Sequence, residues 1–134
     1  MSAFRDLAAI PPKRLSPGYL ARAVHGGDIT FAVVEIEQHA ELPEHSHANE
    51  QLGIVLEGSV TFRVGDEEKT VPPGGIWSIP PNTPHFASAG AEGAVVLDIL
   101  HPRARGLEGS RHAGAHLPML AVARWKSPRL RGEG

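Results

Sequence analysis

The sequence predicts an all-β domain, either two small sheets facing each other or a small barrel, and three observations carry that expectation. Fifteen glycines and twelve prolines punctuate the chain. Between them lie short runs rich in Val, Ile, Thr and Phe, the composition of strands bounded by tight turns. A long helix has no place between Pro17 and His101, because breakers interrupt every stretch.

Taken in order, residues 1–14 have room for a short helix ahead of the Pro11-Pro12 break. Strands are expected over about 18–25, 28–37, 51–57, 59–65, 67–71, 76–80, 84–89 and 94–101. The clearest hairpin is "GSVTFRVGDEEKTV": Val60, Phe62 and Val64 alternate with Thr61 and Arg63, and Gly65-Asp66 turns the chain into the next strand. "TFAVVEI" and "AVVLDIL" are apolar on both faces, so their outer sides need cover from another layer. A homodimer is the simplest source of that cover. In the last segment, "LPMLAVARW" reads as a strand or one short helix between loops rich in Gly and Arg.

At 134 residues the chain suits one domain, 1–134, with a barrel over about 18–101, an N-terminal arm 1–17 and a C-terminal extension 102–134. Thirteen basic and fifteen acidic residues are well mixed and leave a net charge of -2, so neither nucleic acid nor an anionic membrane is expected as partner. There is no cysteine, which removes disulfides, thiolate nucleophiles and Cys-based zinc sites together. "MSAFRDLAAIPPKRL" lacks the uninterrupted apolar core of a signal peptide, and no later run approaches the length of a spanning helix. The expected location is cytoplasmic.

Chemistry concentrates in "HSHANEQLGIVLEG", residues 45 to 58. Residues two apart on an extended strand share a side, so His45 and His47 can aim two imidazoles at one point, and Gln51 keeps the same parity if "ANE" stays extended. A His-X-His pair by itself is more often solvated than ligating. A third imidazole at His85, held behind "GGIWSIPPNTP", shifts the reading to a site for one divalent transition metal with open positions. Three nitrogens and one oxygen suit Fe, Mn, Co, Ni, Cu or Zn alike.

These two segments resemble the two motifs of the cupins. His45, His47, Gln51 and Gly58 fall on the spacing of G(X)5HXH(X)3–4E(X)6G, and Gly74, Pro80 and His85 on that of G(X)5PXG(X)2H(X)3N. Gln51 stands in place of the usual glutamate, His39 and Asn82 in place of glycines, and Ala89 in place of the final asparagine. The resemblance implies a small single-domain cupin, an all-β jelly roll or double-stranded β-helix, with a metal on His45, His47, Gln51 and His85. A neutral glutamine leaves the full dipositive charge of the metal and cannot act as a carboxylate base, which points away from dioxygen chemistry and toward proton transfer on a chelated carbonyl or carboxylate.

Such chemistry needs another acid or base, and Asp98, the lone charge in "AVVLDIL", is the candidate. Burial would raise its pKa toward a useful range, and the alternative is a structural pair with an arginine. "DILHPRAR" resembles the D-X-F-X-P-P-R segment of small cupins that ketonise or linearise unsaturated uronates. That resemblance implies proton transfer by Asp98 and carboxylate binding by Arg103, with Arg105 a rival because one proline is missing.

Other candidates carry less. Glu50 has the wrong parity for a ligand, and Tyr19, Arg22, Phe31, Trp77 and Phe86 either line the pocket or pack in the core. His112 and His116 lack a third ligand, and His25, His39 and His101 have no identifiable partner. The expected function is a metal-dependent isomerase, tautomerase or lyase acting on a small carboxylated sugar-like or keto acid substrate. The alternatives are a dioxygenase of the same fold and a non-catalytic small-molecule-binding module.

Overall fold

The computed structural model describes residues 2–105, and "LPMLAVARW", His112 and His116 lie outside them. The all-β expectation holds: among the described residues, eight strands follow one short 3-10 turn. They are β1 (Lys13–Ser16), β2 (Tyr19–His25), β3 (Thr30–Ile36), β4 (Glu41–His45), β5 (Glu50–Val64), β6 (Glu67–Val71), β7 (Ile76–Ile79) and β8 (His85–His101). The 3-10 turn Leu7–Ala9 is capped by the Asp6 carboxylate and ends ahead of the Pro-Pro break, where a short helix was expected.

The architecture rests on two long antiparallel strands, β5 and β8, that each pass through two halves of a folded sheet. In one half the order is β1-β2-β3-β8-β5, with β7 on the far side of β5. In the other, β4 pairs the start of β8 and β6 pairs the end of β5. The jelly roll forms because both long strands bend at the same level. Register shifts fall between Val55 and Glu57 and between Gly58 and Val60, opposite Val95, Ala94 and Ala89. Gly58 (φ 75°) and Gly93 (φ 72°) meet at that corner, and a Cβ on Gly58 would stand 2.0 Å from the Gly93 carbonyl oxygen. Only glycine fits such an approach in the left-handed region.

That corner corrects the expected strand list. The sequence reads as 51–57 then 59–65, and 84–89 then 94–101, because glycines interrupt each run; the ladder nevertheless continues through both interruptions. β1 and β4 were not expected at all. β4 carries Pro43 and tolerates it because the strand lies at an edge, with a register shift between Leu42 and His45.

The core lies between the two halves and includes Tyr19, Ala32, Val34, Val60, Phe62, Trp77, Ile79 and Val96. Pairing fixes its faces: Ala32 sits opposite Asp98 on the inner side, so Val33 and Glu35 point outward. On that outer side Arg22, 1% exposed, forms an ion pair of 2.7 Å with Glu35. Arg22 therefore neither lines the pocket nor packs as a simple core residue. Phe31, also outward, is 43% exposed beside Ile99 and Leu52 in one cross-strand row. No helix among the described residues is long and apolar enough to cross a membrane.

Candidate metal centre

A bulge places the first two imidazoles. Across β4 and β8, Leu42 faces Ala87 but His45, not Glu44, faces His85, because the extra residue is absorbed at Pro43-Glu44. β4 ends at His45, and His47 stands in the following loop, with residues 48–49 in a bend. Thus His45, His47 and Gln51 converge by a bulge and a turn, rather than by the shared parity of one extended segment. Ring centroids are 4.3 Å apart for His45 and His85, 4.9 Å for His47 and His85, and 5.5 Å for His45 and His47. One nitrogen from each lies within 4.8 Å of the others, a group that could hold a metal ion.

The hydrogen bonds settle which nitrogens face inward. Each Nδ1 meets a backbone carbonyl: His45 with Pro43 at 3.0 Å, His47 with Asn49 at 3.1 Å and His85 with Thr83 at 2.8 Å. A carbonyl can only accept, so Nδ1 carries the proton and each Nε2 presents a lone pair. Gln51, buried at the base of the cluster, brings its Oε1 to 3.1 Å from His47 Nε2. Two lone pairs then face each other at that distance. A cation between them resolves the repulsion, and the donor set of three imidazoles and one amide oxygen fits a divalent transition metal. Burial lowers the pKa of His85 against the Thr83 bond, and the neighbouring His45 and His47 lower it further, which favours the neutral, ligating form.

Asp98 stands behind Gln51. Its Oδ1 accepts from Gln51 Nε2 at 2.9 Å and from Trp77 Nε1 at 3.1 Å. Burial raises its pKa to about 6, even though both bonds favour the charged form. Among the described residues no arginine pairs with it, so the alternative of a structural ion pair is not what the geometry shows. Burial, with the charge of Asp98 nearby, also keeps the Tyr19 phenol protonated far above its ordinary range; its hydroxyl donates to the Ala87 carbonyl at 3.2 Å.

All these groups open onto one cavity of about 260 Å³, whose walls are otherwise largely apolar, with Val34, Leu42, Phe62 and Leu100 among them. Arg105 lines it; Arg103 does not. Both side chains are exposed, and the Arg103 guanidinium lies 3.4 Å from the Gly26 carbonyl, away from the pocket where the resemblance would place it.

Trp77 and Tyr19 line the pocket, whereas Phe31 faces outward and Phe86 lies under the Arg63 guanidinium at 4.9 Å. Glu50 is exposed, in keeping with its parity. His25 bonds Thr30 at 2.8 Å, and His101 meets Asp28 at 3.0 Å on the surface. Sequence reasoning missed Phe62 and Asn49. Phe62 was legible as the inward member of an alternating strand, whereas Asn49 offered no signal beyond its place between two ligands.

The cupin domain family matches residues 32–100, half of the chain. Among solved structures, KdgF from Halomonas sp. aligns with a TM-score of 0.72 at 23% identity, covering 79% of this chain and 98% of that one. An RmlC-like cupin from Shewanella frigidimarina gives 0.71 at 21% identity over 78% of this chain and 94% of its own. A sugar phosphate isomerase of the cupin superfamily from Silicibacter pomeroyi gives 0.64 at 15% identity, over 73% and 74%. At such identities the likeness is one of fold. No curated protein matches the sequence.

Proposed function

This chain belongs to the cupin family, and we propose that it is a metal-dependent enzyme of that family which moves a proton on a small carboxylated substrate, sugar-like or keto acid, as an isomerase, tautomerase or lyase. The observation that carries the reading is a lone carboxyl, Asp98, lining the same pocket as a ligand set that contains no carboxylate. The fold it shares with KdgF and with a sugar phosphate isomerase supports that class of chemistry.

His45, His47, Gln51 and His85 would hold the ion, and a divalent metal bound there would supply a Lewis acid for a substrate oxygen. Both hydrogen bonds to Asp98 fall on Oδ1, so Oδ2 is the oxygen assigned to take the substrate proton and return it one atom away. A carboxylate there can take the proton and, as the acid, give it back. Arg105, at the pocket wall, would receive the substrate carboxylate in its planar fork. Phe62, Leu42 and Leu100 exclude water from the reacting carbon. The chain is also proposed to pair with a second copy, a reading supported by the exposed row of Phe31 and Leu52; sedimentation equilibrium tests it.

The test is turnover of unsaturated uronates and small keto acids by the metal-loaded protein and by Asp98→Asn. Turnover by the wild type, with binding kept and turnover lost in the variant, is the expected result. Binding without turnover in both would leave a binding module, equal turnover in both would remove Asp98 from the chemistry, and consumption of oxygen with iron or manganese bound would make the protein a dioxygenase instead.

A further inference from the structure

Three strands meet at a point that neither histidine motif explains. Gly53 of β5 lies opposite Trp77 of β7 on one side and opposite Asp98 of β8 on the other. The Trp77 indole N–H reaches over that glycine to Asp98 Oδ1. A Cβ at Gly53 would stand 2.3 Å from the Trp77 ring and 2.4 Å from Asp98 Oδ1, so the bond exists because residue 53 has no side chain.

An amide such as Gln51 has two ends of nearly equal shape, and rotating it by half a turn exchanges an acceptor for a donor. Only one orientation ligates a metal. An indole N–H is a donor and nothing else, so the Asp98 oxygen it meets must be an acceptor. With the carboxyl's exchangeable proton on Oδ2, Gln51, bonded to that same Oδ1, must offer it the NH2 group, which leaves Oε1 toward the histidines. Trp77 is itself fixed, with its ring 4.6 Å from that of Phe62 and only 7% of its surface exposed.

We propose that Trp77 is a positioning residue for the metal site: acting through Asp98 across Gly53, it sets the Gln51 amide with its oxygen toward His45, His47 and His85. The inference rests on the metal-site reading above. Without the indole N–H, the Asp98 carboxyl is free to turn and the amide to flip, and the NH2 group then donates to the Nε2 lone pairs in place of an ion.

Binding of Co2+ to the full chain, followed by its visible absorption, reports both occupancy and ligand set. Trp77→Phe keeps a ring in the core and is expected to weaken Co2+ about tenfold or more. Gly53→Ala, which leaves every hydrogen-bonding group in place and forces Trp77 and Asp98 apart, is expected to act in the same direction. In a Gln51→Ala background, with no amide to orient, neither substitution should weaken Co2+ further. Wild-type affinity and an unchanged spectrum in Trp77→Phe, or losses that add in full to that of Gln51→Ala, would overturn the positioning role while leaving the metal site standing. A wild type that binds no Co2+ would overturn the metal site and this inference with it.

Discussion

Two buried polar clusters occupy opposite faces of the same sheet, and they are built on opposite plans. On the outer face, Arg22 and Glu35 satisfy each other's charge at 2.7 Å. On the inner face, among the described residues, Asp98 meets only the neutral donors Gln51 and Trp77, and it opens onto a cavity. A matched buried pair holds a structure and resists the loss of either member. A buried carboxyl given only neutral donors keeps a raised proton affinity, with burial pushing its pKa up to about 6, and this is the feature on which the proposed proton transfer rests. The difference teaches that burial of a charge does not identify function; the partner it is given does.

Substitutions at four places break or sharpen that contrast. The largest effect is expected from Asp98→Asn, which keeps an acceptor oxygen for Trp77 and Gln51 but cannot exchange a proton. Turnover should fall by about 10²- to 10⁴-fold with metal content unchanged, measured by steady-state kinetics and elemental analysis. Next comes Glu35→Ala on the outer face, which takes the carboxylate away from a buried guanidinium; denaturant unfolding should show a loss of about 3–5 kcal/mol. Replacing both members, Arg22→Met with Glu35→Leu, should recover most of that loss, whereas no apolar replacement at Asp98 should restore turnover.

A smaller effect is expected at the corner from which both faces hang. Gly58→Ala adds a Cβ against the Gly93 carbonyl in a left-handed residue, and calorimetry should register a destabilisation of about 1–3 kcal/mol. The smallest separates the two arginines. Arg105→Ala should raise KM for a carboxylated substrate by about tenfold, roughly 1.4 kcal/mol of lost binding, while Arg103→Ala, whose guanidinium lies by the Gly26 carbonyl, should leave it unchanged.

Much of the inner cluster was legible because its chemistry is written locally. His45, His47, Gln51 and His85 carry a spacing and a residue type, and Asp98 is conspicuous as one charge in an apolar strand. The structure brings all five to one pocket. What could not be read depends on registers between distant segments. The link from Trp77 over Gly53 to Asp98 requires β7, β5 and β8 to align at single residues, and a lone Trp or Gly in a strand signals only packing or a bulge. The Arg22–Glu35 pair depends on the β2–β3 register in the same way. The strand at 41–45, which carries Pro43, was not expected, because its edge position and bulge are tertiary facts. Gly58 and Gly93 looked like strand ends for a related reason: a corner in a continuous strand and a turn between two strands use the same residue.

The central claim is that His45, His47, Gln51 and His85 hold one metal ion beside a lone acid. Elemental analysis of the purified chain, with His85→Ala alongside, tests it most directly. The account predicts near-stoichiometric metal in the wild type, lost in the variant. Little metal in the wild type after incubation with several divalent ions, or equal metal in both proteins, would contradict it.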